Sequence, residues 1–262
     1  MTGVNVLSLF AGIGGLDLGL DQAGMTVVGQ VEIDPFCRSV LARHWPEVPR
    51  HDDVRTAAAW WRSRPRPPVH VVAGGFPCQP FSAAGRRRGV GDERWGWPWF
   101  FDVVRVLRPR YVLVENVAAL LRDADAFGWI LGDLATLGFD AQWSVLSACA
   151  VGAPHTRERL FLVAYPHGEH GPVRLADPRQ PGRRHQPADA RIGDRAGTWG
   201  HPVDGFLAAA RRSRRVADGV PDRLEPARVR ALGNAVVPQV AEHVGRLILH
   251  HLATGDLTRR AG

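Results

Sequence analysis

Residues 4–9, VNVLSL, read as a buried strand, and FAGIGG breaks it at once. LDLGLDQAG follows with helical spacing at Leu16, Leu20 and Ala23, closed by Gly24, and MTVVGQV is a second strand. Strand, glycine turn, helix, strand is the opening of a nucleotide-binding α/β unit. Glu32 falls at the tip of the second strand, where such units place a ribose-binding carboxylate. Turn and acid together fit a dinucleotide held by its pyrophosphate or an adenosyl compound without one, and this stretch does not separate the two.

The same alternation continues. EIDPFCRSVLARHW has helical spacing with Asp34 as its cap and Pro35 in its first turn. VHVVAGG (69–75) and RYVLVENV (110–117) are further apolar strands. FGWILGDLATLG is a helix ending at Gly138, and AQWSVLSA and ERLFLVAY are later strands. The composition changes near Pro166. From there to about Glu225 the chain is rich in Pro, Gly, Arg, His and Asp and cannot build a core of its own. An amphipathic helix after Pro238 then presents Val240, Val244, Leu247 and Ile248 on one side. This divides the sequence into a nucleotide-binding body (1–165), a polar segment (166–225) and a return to the first part (226–262).

GGFPCQPFSAAG (74–85) carries one of only three cysteines. Cys78 follows a strand by a few residues, at the carboxyl end where α/β sheets place their sites. Pro77 and Pro80 fix φ on either side, and Gly74 and Gly75 permit close approach to the backbone. That is an exposed, rigidly framed nucleophile. Glu115 ends the neighbouring strand, so it reaches the same edge, where a buried carboxyl stays protonated or shares a proton and acts as an acid.

Charge and composition narrow the partner. The formal net charge is +7 with a pI near 10.7, which suggests a polyanion. All 33 basic residues are arginine, and asparagine occurs only at positions 5, 116 and 234. Such a bias fits a GC-rich genome, and an asparagine that survives it is a candidate for required chemistry. Asn116 and Asn234 are therefore suspects. The odd, widely spaced cysteines make neither a disulfide framework nor a CxxC zinc site. With no long apolar run and no basic leader, a cytoplasmic, reducing location without membrane association is expected.

SLFAGIGG, GGFPCQPFS, ENV, RERLFLVA and GNAVVPQV, in that order from residue 8 to residue 240, resemble the ordered motifs of the DNA (cytosine-5) methyltransferases. The resemblance implies a class I S-adenosylmethionine-dependent methyltransferase fold, Rossmann-like, with a mostly parallel sheet and helices on both faces. It implies methyl transfer from S-adenosylmethionine to cytosine C5 in double-stranded DNA, on a flipped base, through a covalent adduct. Cys78 would attack C6, Glu115 would bond N3 and the exocyclic amine, and Asn116 would hold the cysteine loop. Of the two arginines in HTRER, Arg157 would contact the base or Glu115 and Arg159 would support the cysteine loop. On the cofactor side, Phe10 would stack on the adenine, Gly12 and Gly14 would admit the cofactor, and Gly75 would approach it. Glu32 would bind the ribose hydroxyls, Ile33 would lie beside the base, and Asp53 would accept from the adenine amine. Asn234 and Val236 would close the methionine side. Ser82, Arg86, Arg87 and Arg94, in the stretch after the cysteine, would meet DNA.

Two departures stand out. Ser8 replaces the Asp that often precedes Leu-Phe-Ala-Gly, which weakens one supporting contact, and His155 replaces the Gln of the Gln-x-Arg-x-Arg pattern. Among Trp95, Trp97 and Trp99, at least two are expected to pack in the core. Segment 166–225 is short for the family's recognition region, and its eleven arginines suggest a short guanine-containing site. A monomer is expected, with a cognate restriction endonuclease as a possible partner. Two rival readings share these motifs: a tRNA cytosine-5 methyltransferase of the same architecture, and a catalytically silent DNA-binding relative.

Overall fold

The computed structural model describes residues 3–78, 95–168, 175 and 224–260. Seven strands make one sheet: β1 Asn5–Leu9, β2 Thr26–Val31, β3 Arg50–His51, β4 Val71–Gly74, β5 Tyr111–Val117, β6 Phe139–Ser147 and β7 Glu158–Pro166. Their order is β3-β2-β1-β4-β5-β7-β6. The pairs from β3 to β5 are parallel, and β7 runs antiparallel to both β5 and β6. The expected mostly parallel sheet is therefore present.

Period-2 alternation explains why both faces are covered. Leu7, Leu9, Val72, Val112, Val114, Leu160 and Leu162 point to one face and pack with α3 Ala57–Arg62, α4 Trp97–Leu107 and α5 Ala124–Thr136. Val6, Val71, Ala73, Tyr111, Leu113, Phe161 and Val163 point to the other. There they meet α1 Gly15–Ala23 and the long C-terminal helix α7 Pro238–Arg260. Val240, Val244 and Ile248 of α7 are buried, and Leu247 packs at their margin. Trp95 and Trp97 are buried as well, while Trp99 is half-buried.

Helices α1 and α7 touch closely because both carry glycine. A Cβ at Gly15 would lie 2.3 Å from the carbonyl oxygen of Val236, one at Gly19 2.3 Å from that of Pro238, and one at Gly245 2.8 Å from Ala23. At the other end of α1, Gly24 takes φ 102° and caps the last turn. Helix α2 Pro35–His44 starts as its sequence implies: the Asp34 side chain accepts from the backbone N–H of Phe36 and Cys37, with Pro35 in the first turn.

The chain runs from β1 outward through β2 to β3, then crosses back to β4 on the other side of β1. The reversal opens a crevice at the carboxyl ends of β1 and β4, which is where open α/β sheets bind ligands.

Candidate active site

The glycine turn between β1 and α1 is closed by the Gly14 N–H donating to the Ala11 carbonyl at 2.9 Å, and Ala11 N–H reaches Val31 at 3.1 Å. Phe10, Gly12 and Gly14 all have positive φ, of 52°, 56° and 85°. Glu32, at the end of β2, holds the turn from the side: Oε2 accepts from Gly12 N–H at 2.7 Å and Oε1 from Asp34 N–H at 2.8 Å. Each carboxylate oxygen keeps a lone pair for a ligand. A Cβ at Gly12 would meet nothing within 4 Å, so open space lies beside the turn.

Beneath the turn lies a buried polar triad. Ser8 Oγ donates to Asp17 Oδ1 at 2.5 Å, and Gln30 Nε2 donates to Asp17 Oδ2 at 2.7 Å. Burial pushes the Asp17 carboxyl up to about 6, against the pull of its two donors. Ser8 is thus not merely a weakened contact. The carboxylate of this support comes from α1, and strand β1 contributes the hydroxyl.

At the end of β4 the chain continues through Phe76 and Pro77 to Cys78. The expectation of an exposed thiol does not hold, for Cys78 is only 7% exposed and packs in the aromatic core with Phe76, Trp95 and Trp97. Burial, with the Asp123 charge adding to it, pushes its thiol up to about 12. Cys78 pairs with Trp95 as an antiparallel bridge, and Gly96 N–H donates to the Pro77 carbonyl at 3.1 Å. Asn116 anchors the other side, with Nδ2 donating to the Phe76 carbonyl at 3.1 Å and Oδ1 accepting from Val117 N–H.

Glu115 is buried at the end of β5, and desolvation pushes its carboxyl up to about 7, with the positive charges of Arg159 and Arg157 opposing. Arg159 Nε lies 3.2 Å from Glu115 Oε1, near enough to pair but too poorly aligned for a hydrogen bond, so Oε1 has no hydrogen-bond partner among the described residues.

These groups share one cavity of about 460 Å³, a size suited to a nucleoside-like ligand. Its walls include Phe10, Gly12, Glu32 and Ile33 from the turn side, Gly75, Cys78, Glu115, Asn116 and Arg159 from the centre, and Asn234 and Val236 from the C-terminal part. Ile33 is 71% exposed, an apolar side chain left uncovered at the rim.

The remaining expected residues lie elsewhere or act otherwise. Asp53 is not in the cavity wall; its carboxylate is taken by Arg55, at 2.9 Å from Nε and 2.7 Å from the terminal nitrogen. Gly14 caps α1 and faces a neighbouring cavity of about 840 Å³, where His155 and Arg157 also lie. Arg157 donates to the Gly233 carbonyl at 2.8 Å, so Arg159, not Arg157, is the arginine paired with Glu115. At Gly75 the near neighbour is the protein itself, the Glu115 carboxylate. Ser82, Arg86, Arg87 and Arg94 lie outside the described residues, as do 166–225 apart from Pro166–Gly168, Leu175 and the first residues of the next helix.

Sequence reasoning missed one wall. Helix α6, Leu224–Asn234, brings Ala227, Arg230 and Ala231 to the cavity. Among its described side chains, the larger apolar residues Val229 and Leu232 are exposed and small Ala231 is buried, so apolar periodicity did not mark its inner face. Cys37, on α2, also lines the cavity.

A family model described as C-5 cytosine-specific DNA methylase matches residues 4–197, most of the chain and every element from β1 to β7. The chain belongs to the C-5 cytosine-specific DNA methylase family. Within it, 168 residues are 34% identical to the type II methyltransferase M2.BsuMI of Bacillus subtilis, covering 62% of this chain and 42% of that protein. Against M.NlaX of Neisseria lactamica the identity is 36% over 168 residues, covering 61% of this chain and 51% of that protein. The chain thus spans about half the length of these methylases or less. Across 95% of its length the fold matches the S. pombe Dnmt2 methyltransferase, with a TM-score of 0.65 at 17% identity and 99% of that chain covered.

Proposed function

We propose that this methylase transfers a methyl group from S-adenosylmethionine to C5 of a cytosine flipped out of double-stranded DNA. The observation that carries the reading is the single cavity in which Cys78, Glu115 and Glu32 meet at the sheet's reversal point. The residues present fit the cofactor: Glu32 keeps free lone pairs for ribose hydroxyls, Gly12 leaves open space, and Phe10 and Ile33 offer apolar surface for the adenine. S-adenosylmethionine, when bound, supplies the electrophilic methyl group.

Cytosine C5 is a poor nucleophile while the ring is aromatic. Protonated Glu115 gives its proton to N3, which draws electrons from C6. The Cys78 sulfur then bonds C6, and its thiol proton leaves to solvent. The C5=C6 electron pair becomes enamine-like, so that C5 would take the methyl and the cofactor would leave as S-adenosylhomocysteine. Loss of the C5 proton to solvent, breaking of the C6–S bond with the sulfur regaining a proton from solvent, and return of the N3 proton to Glu115 release 5-methylcytosine. A carboxyl raised to about 7 is half protonated at neutral pH, which suits an acid that gives and regains one proton per cycle. Asn116 holds the loop that aims the sulfur, and Arg159 answers the charge on Glu115.

Segment 166–225 would read a short guanine-containing site, with Arg86, Arg87 and Arg94 on phosphates. Methyl incorporation into duplex DNA, measured beside incorporation into tRNA, tests the reading, and bisulfite sequencing of the methylated DNA reads the site. Incorporation into tRNA alone, or into neither, overturns it.

A further inference from the structure

Asn234, at the end of α6, and Ala235 and Val236, ahead of α7, form the C-terminal wall of the cavity, and Gly233 precedes them in the last turn of α6. Two contacts hold this stretch. On one side Val236 rests on Gly15, where any Cβ would lie 2.3 Å from the Val236 carbonyl oxygen. On the other, the Arg157 guanidinium donates to the Gly233 carbonyl at 2.8 Å, across 76 positions of sequence. Arg157 has φ 21°, a non-glycine residue at the edge of the left-handed region, two positions before Arg159. A residue in that conformation persists only when its surroundings hold it there.

From this geometry we infer that Arg157 is a positioning residue. It ties the start of β7, which presents Arg159 to Glu115, to the last turn of α6 at Gly233, directly before the wall formed by Asn234, Ala235 and Val236. The catalytic and cofactor sides of the cavity are therefore set in register by one side chain that does not itself line the cavity. The inference rests on the proposed function only for its consequence on cofactor binding; the clamp itself is a statement about the fold.

Guanidinium is suited to the task because it carries several donors in a fixed plane and keeps its charge when partly buried. Lysine keeps the charge and a donor that can reach a carbonyl, whereas glutamine of similar length loses the charge that strengthens the bond.

The test uses the full chain with Arg157→Gln and Arg157→Lys. Hydrogen exchange is followed in peptides covering 231–238 and, as a control, 244–252. Exchange in 231–238 should be about tenfold faster in Arg157→Gln, with the control unchanged and Arg157→Lys partly restored. Calorimetry with S-adenosylhomocysteine should show about tenfold weaker binding by Arg157→Gln and partial rescue by Lys. Unchanged exchange in 231–238 overturns the clamp. Unchanged cofactor affinity with lost DNA trapping also overturns it, in favour of a base contact. If the unaltered protein binds no S-adenosylhomocysteine, the methyl-transfer reading fails, and the exchange result still decides the clamp. Should Arg157→Gln not fold, Arg157→Lys carries the test: faster exchange confined to 231–238 supports the clamp, and exchange equal to the unaltered protein, or faster in both peptides, overturns it.

Discussion

Glu115 Oε2 lies 2.7 Å from the place a Cβ on Gly75 would occupy. The backbone leading to Cys78 therefore lies directly against the carboxyl proposed to act with it, and no side chain can come between them. Gly75→Ala should push the carboxyl or the loop aside. A cost of roughly 1–3 kcal/mol in stability is expected from the overpacking. Methyl transfer should fall much more than cofactor affinity, which denaturant unfolding and single-turnover kinetics will separate.

The buried Glu115 gives a pH signature. Its folded-state value of about 7 lies above the ordinary 4.5, so between those values the folded protein holds more protons than the unfolded chain. The group's contribution to stability therefore falls as pH rises from about 4.5 to 7. Glu115→Gln lacks this slope. Relative to the unaltered protein, it should gain on the order of 3 kcal/mol between pH 4.5 and pH 8, while methyl transfer is lost. Unfolding curves at the two pH values check this, and a difference independent of pH would contradict the burial argument.

Two cysteines line the cavity, Cys78 and Cys37, and burial pushes both thiols up to about 12. Acidity thus does not select the nucleophile; position does. A duplex containing 5-fluorocytosine should trap a covalent complex with the unaltered protein, with Cys37→Ser and with Cys149→Ser. Cys78→Ser should trap none. Mass mapping of the adduct to Cys37 would refute the assignment.

Glu32 both holds the glycine turn and faces the cavity. Glu32→Ala should weaken S-adenosylmethionine binding by about 1.5–3 kcal/mol, as expected for lost hydrogen bonds to a charged group. Glu32→Gln places an amide N–H against either the Gly12 or the Asp34 N–H, so it should bind little better than Ala. Calorimetry showing native affinity in Glu32→Gln would mean that the ribose lies elsewhere.

The sequence by itself determined six of the seven strands, the glycine turn, the caps at Asp34 and Gly24, and the order of the cavity's residues from Phe10 to Val236, but not the two-residue edge strand β3. Those features are local. Apolar alternation, turn residues and capping side chains act over a few positions, so a linear reading finds them. Only the tertiary structure decided the rest. That Cys78 is buried follows from Trp95 and Trp97 folding back over it. That Arg159 faces Glu115 follows from the antiparallel register of β7 on β5, where Glu115 sits opposite Phe161 and Val117 opposite Arg159. The resemblance gave Arg157 either the base or Glu115 as its partner, because spacing along a strand does not say which neighbour a long side chain meets. Asp53 was drawn off by Arg55, and α6 closed the cavity with small residues that leave no apolar signature. Each of these depends on which distant segments pack together, and packing is set by the whole core at once, not by any single stretch of the chain.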